Sequence, residues 1–245
     1  MKLKFIFLPL FLLIIILTQS YCTKDNLECV PETYNDDNQL HYRNGFILSY
    51  NEKHEQANWV FYVLKPSDII CDIVAKRKDN FREDINIKTK SASLDDYKNK
   101  GYDRGHLKPS ADESCDQIQM DETFLMSNMS PQIAGFNRGV WKNLESYVRN
   151  LAKDNDSIYV YTAGTLKTPI KSIGTNNVSV PSHFFKVIYV FNGKNVKIES
   201  FFMPNEKTTQ KYDDFKVSLD EIEVKTNLKF PKPTSKDRFP KIICN

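Results

Sequence analysis

Phe184-Phe185-Lys186-Val187-Ile188-Tyr189-Val190-Phe191-Asn192-Gly193-Lys194-Asn195-Val196-Lys197-Ile198-Glu199-Ser200-Phe201-Phe202-Met203 is the stretch that decides the fold. Aromatic and β-branched runs flank Asn192-Gly193, a pair that accepts positive φ and so suits a tight hairpin turn. Strands are expected at 184–191 and 196–203. Comparable runs lie at 46–50, 59–64 and 157–162, each bounded by polar turn residues. One helix has clear spacing. Over 137–152, Val140, Leu144, Tyr147, Val148 and Leu151 fall on one face. A shorter helix opens at 219–224, and the polar stretch 83–100 reads as a surface loop. The expectation is an α+β fold: a mainly antiparallel central sheet flanked by helices.

With 245 residues, 40% of them hydrophobic and 27% charged, the chain suits a globular protein, and no repeat or low-complexity linker divides it. A single domain is expected over 23–245. Residues 1–22 read as a signal peptide: Lys2 and Lys4 precede an apolar run from Phe5 to Leu17 that is short for a membrane span. Cleavage fits after Ser20 or after Cys22. The second leaves Cys29, Cys71, Cys115 and Cys244, an even set that suits two disulfides, with all three pairings open. The leader implies a secreted protein with no lasting membrane contact. No cysteine or histidine pair has zinc-ligand spacing. Losing Lys2 and Lys4 lowers the formal net charge from +3 to +1. A polyanion partner therefore needs a local patch, for which Lys76, Arg77, Lys78 and Arg82 are the candidates against an ordinary solvated face.

Chemistry concentrates at Tyr102-Asp103-Arg104-Gly105-His106-Leu107-Lys108-Pro109. The His106 imidazole can take a proton from water near neutral pH, and the Arg104 fork can neutralise charge growing on a phosphate ester. Gly105 is expected to let the backbone turn so that both side chains reach one site. A second constellation follows: Asn128-Met129-Ser130-Pro131-Gln132, then Asn137, Trp141 and Leu144-Glu145. On an ideal helix Asn137 and Glu145 are about 80° and roughly 12 Å apart. That is too far for both to touch one small ion. It suits one direct amide ligand with a carboxylate acting through water, an arrangement that Mg²⁺ accepts. By themselves, these residues read more simply as a helix cap at Asn137 and a solvated surface acid at Glu145.

Taken together, the two constellations resemble the DNA/RNA non-specific endonuclease family. The likeness extends to Asn58-Trp59-Val60, 81–84, 123–128, 180–187 and Met203-Pro204-Asn205, and so covers about residues 42 to 230. It implies a ββα-metal active site acting on DNA and RNA with little sequence preference and leaving 5′-phosphate ends. His106 would be the general base and Arg104 the phosphate clamp. Asn137 would be the direct ligand of Mg²⁺, for which Mn²⁺ can substitute. Glu145 would orient a metal-bound water, and Asp103 would support its neighbours. The family's upstream substrate-binding arginine maps to Arg77 or Arg82, and Lys108 is a further candidate against a merely solvated lysine. Activity should fall as His106 protonates below about pH 6, given an imidazole pKa near 6.5. A homodimer is a further arrangement the resemblance implies. The alternative is a catalytically silent nuclease-like domain that only binds nucleic acid or protein.

The remaining candidates read as structural. His41 and His54 lack partners at ligand spacing and are expected on the surface. His183 is expected to form structural hydrogen bonds, and Trp141 to pack its helix. Of the sequons at Asn128, Asn155 and Asn177, the first lies in a packed segment and is not expected to carry glycan.

Overall fold

The Asn-Gly hairpin forms as read in a computed structural model that describes residues 39–232. Strand β9 (His183–Asn192) pairs antiparallel with β10 (Asn195–Pro204), and Gly193 turns the chain at φ +58°. Around this hairpin lie β1 (Gln39–Tyr42), β2 (Ile47–Asn51), β3 (Gln56–Leu64), β6 (Ser157–Gly164) and β11 (Lys216–Val217). They form one seven-stranded sheet in the order β1-β2-β3-β6-β9-β10-β11, antiparallel at every junction. Two small ribbons stand outside it: β4 (Asp103–His106) with β5 (Met129–Gln132), and β7 (Lys171–Ile173) with β8 (Val178–Val180). The helices are α1 (Pro66–Ile69), α2 (Leu94–Tyr97), α3 (Gln117–Glu122), α4 (Ala134–Phe136), α5 (Lys142–Asp154) and α6 (Leu219–Thr226). This is the expected α+β class.

Alternation along each strand sends side chains to opposite faces, so the sheet separates two apolar layers. In β9, Phe184, Ile188 and Val190 face one layer, and Phe185, Val187, Tyr189 and Phe191 face the other. The first layer is closed by Trp141, Leu144, Val148 and Ala152 from α5 and the turn before it, the second by Ile222 of α6 and Phe230. Burying a Leu, Val or Phe stabilises by about 1.5–3 kcal/mol, so packing of this face holds α5 in place. The apolar positions read for this helix are the ones that pack.

Several expectations change. The 83–100 segment is irregular, but it is not simply a surface loop. Asp84, Asp96 and Tyr97 are buried, with Asp84 accepting hydrogen bonds from Arg43 and Ser127 and Asp96 from Ser93 and Asn176. His41 and His54 are half-buried, and His54 bonds Ser179 Oγ at 2.8 Å. Desolvation lowers both imidazole pKa values. As expected, Asn128 is fully buried and bonded to the Lys108 and Thr123 carbonyls, which closes it to glycan attachment. Cys71 and Cys115 form a disulfide. Cys29, Cys244 and the expected signal peptide lie outside the described residues.

Candidate active site

Antiparallel pairing of β4 with β5 places Arg104 opposite Pro131 and His106 opposite Met129. Gly105 serves this ribbon in a different way from the turn expected of it. It sits in regular strand without positive φ, and a Cβ there would lie 2.1 Å from Gln132 Oε1. The glycine is needed because Gln132 crosses over it. From β5 the chain passes through α4 into a π-helical turn at Asn137–Trp141, where Gly139 leaves helical geometry (φ −107°, ψ −112°), and then enters α5. The ideal-helix separation of Asn137 and Glu145 therefore does not apply. Wider turns of this kind recur at functional sites.

His106, Arg104, Asn137 and Glu145 line one cavity of about 430 Å³. The His106 ring stands edge-on to Phe124 at 4.9 Å and lies 5.7 Å from Phe81, and its Nε2 is buried with no protein partner. Burial first, and the Arg77 charge second, push its pKa down to about 3, so the imidazole is neutral. The Arg104 guanidinium rests 4.2 Å from the Phe81 ring centroid and forms no ion pair among the described residues, which leaves its fork for a ligand anion.

Asn137 donates its side-chain nitrogen to Asp103 Oδ2 at 2.9 Å, so its carbonyl oxygen is the atom it offers to the cavity. Asp103 also accepts from Arg138 Nε at 2.9 Å and Nη2 at 2.7 Å. Burial alone would raise the Asp103 pKa, but the bonds from Arg138 and Asn137 outweigh it and hold the carboxyl below its usual range. Asp103 thus supports Asn137. The described residues contain no group of three or more His, Cys, Asp or Glu able to cage a metal. One oriented amide oxygen with a carboxylate on the same wall fits a hard, well-hydrated cation such as Mg²⁺ and does not fit zinc.

The expected substrate-binding residues divide three ways. Arg77 reaches the cavity, held by Ser110 Oγ at 2.8 Å and Asp79 Oδ1 at 2.7 Å. Arg82 does not: its guanidinium bonds the Asp121 and Asn80 carbonyls at 2.7 and 3.2 Å and fastens its own segment. Lys108 is the clearest correction, being neither solvated nor among the residues that line the cavity. It is wholly buried and bonds Glu113 and the Gly45 carbonyl, because the adjoining 3₁₀ turn brings Glu113 back over it. Lys108→Met is therefore expected to lower the unfolding free energy by about 3–5 kcal/mol in urea titration, the cost of stranding a buried carboxylate. KM for a short duplex should change less than about twofold, since no phosphate contact is lost.

Three cationic cavity residues were missed: Arg138, Lys142 and Arg149. Arg149 lies one turn past Glu145 on α5 and pairs with buried Asp112 at 2.9 Å, and Arg138 sits beside Asn137. The i, i+4 step from Glu145 was the available signal for Arg149. With Arg77, Arg104 and Lys142 they give the wall a strong cationic excess, as a polyanion needs. His183 stacks on Phe202 at 4.7 Å and bonds Ser182, away from this cavity. Trp141 is fully buried.

A His-bearing β-ribbon laid against a helix that carries Asn and Glu defines a ββα-type nuclease site. The chain belongs to the DNA/RNA non-specific endonuclease family, whose model matches residues 25–237. It is 36% identical over 219 residues to a nuclease of Syncephalastrum racemosum, covering 80% of this chain and 68% of that one. It is 33% identical over 206 residues to human mitochondrial endonuclease G, covering 78% of this chain and 69% of the relative. The solved EndoG of the EndoG/EndoGI complex superposes with a TM-score of 0.74 at 33% identity, covering 78% of this chain and 84% of that chain. The protein is therefore read as a nuclease of this family. The same names overturn the expectation of secretion, because human endonuclease G and further relatives are called mitochondrial. A basic start followed by an apolar run describes a segment's polarity and does not by itself specify a destination.

Proposed function

We propose that the protein hydrolyses phosphodiester bonds within DNA and RNA with little sequence preference, using Mg²⁺ and leaving 5′-phosphate ends. The observation that carries this is the convergence of His106, Arg104, Asn137 and Glu145 on the wall of one cavity. His106 removes the proton from the attacking water. Arg104 receives the charge that grows on the phosphate oxygens, and the Phe81 ring limits its wandering. Asn137, oriented by Asp103, and Glu145 would hold the cation. Bound there, Mg²⁺ supplies Lewis-acid stabilisation of the phosphate and the leaving oxygen. Guanidinium forks read phosphates and not base edges, which accounts for tolerance of sequence. The reading extends to a homodimer, which sedimentation at several concentrations measures.

Supercoiled plasmid and single-stranded RNA, each incubated with Mg²⁺ or with EDTA, test the proposal. Nicking and linearisation of plasmid and breakdown of RNA are expected with Mg²⁺ alone. Intact substrates under Mg²⁺ would refute it.

The pH dependence changes from the first expectation. With its free-enzyme pKa near 3, His106 is already neutral at pH 5. The acid limb of kcat/KM that this base controls should lie below pH 5, not near 6. A phosphodiester anion beside the ring favours the protonated form, so the limb in kcat should lie higher than that in kcat/KM. Coincident limbs near pH 6.5 would show a solvated His106.

A further inference from the structure

Arg77 reaches the cavity from a segment that the core does not hold. No residue from 71 to 80 is buried, and none belongs to a helix or strand. Even Ile73 and Val74 stand exposed. Such a stretch sits at the low-stability end of a fold, because its hydrogen bonds compete with water and no apolar burial backs them. Its ties run to one place. Ala75 N donates to the Ser114 carbonyl at 2.7 Å and Lys76 N to Gln117 Oε1 at 2.8 Å, while Gln117 Nε2 donates to the Lys76 carbonyl at 3.1 Å. Lys78 pairs with Asp121 at 3.2 Å. Ser110, which receives the Arg77 guanidinium at 2.8 Å, begins the same stretch. The seating of 71–78 against 110–121 therefore decides where the guanidinium lies. Among the described residues the one covalent tie across that seam is Cys71–Cys115, with Cα atoms 5.8 Å apart.

We infer that Cys71 and Cys115 are positioning residues for substrate binding, their disulfide holding this exposed segment in register so that Arg77 meets a substrate phosphate at the cavity wall. A cross-link restrains the chain most strongly close to itself, and Arg77 follows Cys71 by six residues. Neither cysteine lines the cavity, so the bridge acts through Arg77. Cys71 is exposed, which opens the bridge to an external dithiol. In that exchange the disulfide takes two electrons and two protons, leaving two thiols, and the reagent closes to its own disulfide. The inference rests on the nuclease reading above, with Arg77 on the substrate.

Binding of a labelled DNA duplex in EDTA, where nothing is cut, tests it at several salt concentrations. The full chain is compared with Arg77→Ala, with the paired Cys71→Ser/Cys115→Ser variant, and with all three changes together. Arg77→Ala should raise Kd about 5–20-fold and lower the slope of log Kd against log salt by about one, the mark of one lost phosphate contact. Removing the bridge should raise Kd about 3–10-fold and lower the slope in the same direction, but should change Kd less than about twofold once Arg77 is Ala. A bridge that merely stabilises the fold would lower Tm and leave Kd and the slope as they are. Wild type reduced with dithiothreitol should match the paired variant, and the paired variant should not respond to the reagent. If the paired variant does not fold, reduced wild type and reduced Arg77→Ala complete the comparison. Unchanged binding without the bridge beside a weakened Arg77→Ala, or equal losses in both Arg77 backgrounds, overturns the inference alone. Wild-type binding by Arg77→Ala overturns the substrate contact it rests on, and the plasmid and RNA assay judges the nuclease reading separately.

Discussion

His106→Ala is expected to lower kcat by about 10²–10⁴-fold, the usual contribution of a positioned general base. The ring also packs against Phe124 and Phe81, so some stability should be lost with it. Rescue separates the two effects. Truncation leaves a space shaped for an imidazole, and added imidazole should restore part of the rate in the Ala variant while leaving wild type unchanged. A purely structural role predicts no rescue, and activity that tracks Tm across several His106 substitutions would count against the base assignment.

Asn137→Ala should lose at least about 100-fold in kcat, because Lewis-acid stabilisation supplies several kcal/mol and each 1.36 kcal/mol is a factor of ten. Folding should survive, since Arg138 keeps its two-pronged pair with Asp103 when the amide is gone. The diagnostic is a titration with divalent metal, in which the variant needs far more Mg²⁺ for half-maximal activity than wild type. Asn137→Asp keeps an oxygen ligand but turns the donor to Asp103 into a second carboxylate beside it. Like charges at that separation repel, so this variant should also be impaired. A fully active Asn137→Asp would show that the bond to Asp103 has no orienting role.

The sheet was legible because strands declare themselves locally. Alternating apolar runs and Asn192-Gly193 need no distant partner to be read, and the same holds for the apolar face of α5. The order of the sheet was not legible. Placing β6 between β3 and β9 is a choice among pairings that similar apolar runs would satisfy equally. Polar residues misled for a related reason. Lys108 reads as solvated in any local window, yet it is buried because Glu113 and the Gly45 carbonyl satisfy it. Asp84 finds Arg43 forty-one residues away. Arg149 reads as a solvated helix residue and instead lines the cavity.

By itself the sequence determined five of the seven central strands, the α5 helix, the two motifs in order and, through them, the family. These depend on residue type and short spacing. Tertiary structure alone decided that His106 stays neutral well below its free-solution range, and that Arg77 and Arg149 reach the cavity while Arg82 and Lys108 do not. The physical reason is that desolvation and charge pairing are set by what surrounds an atom in space, and those surroundings come from segments far apart in the chain.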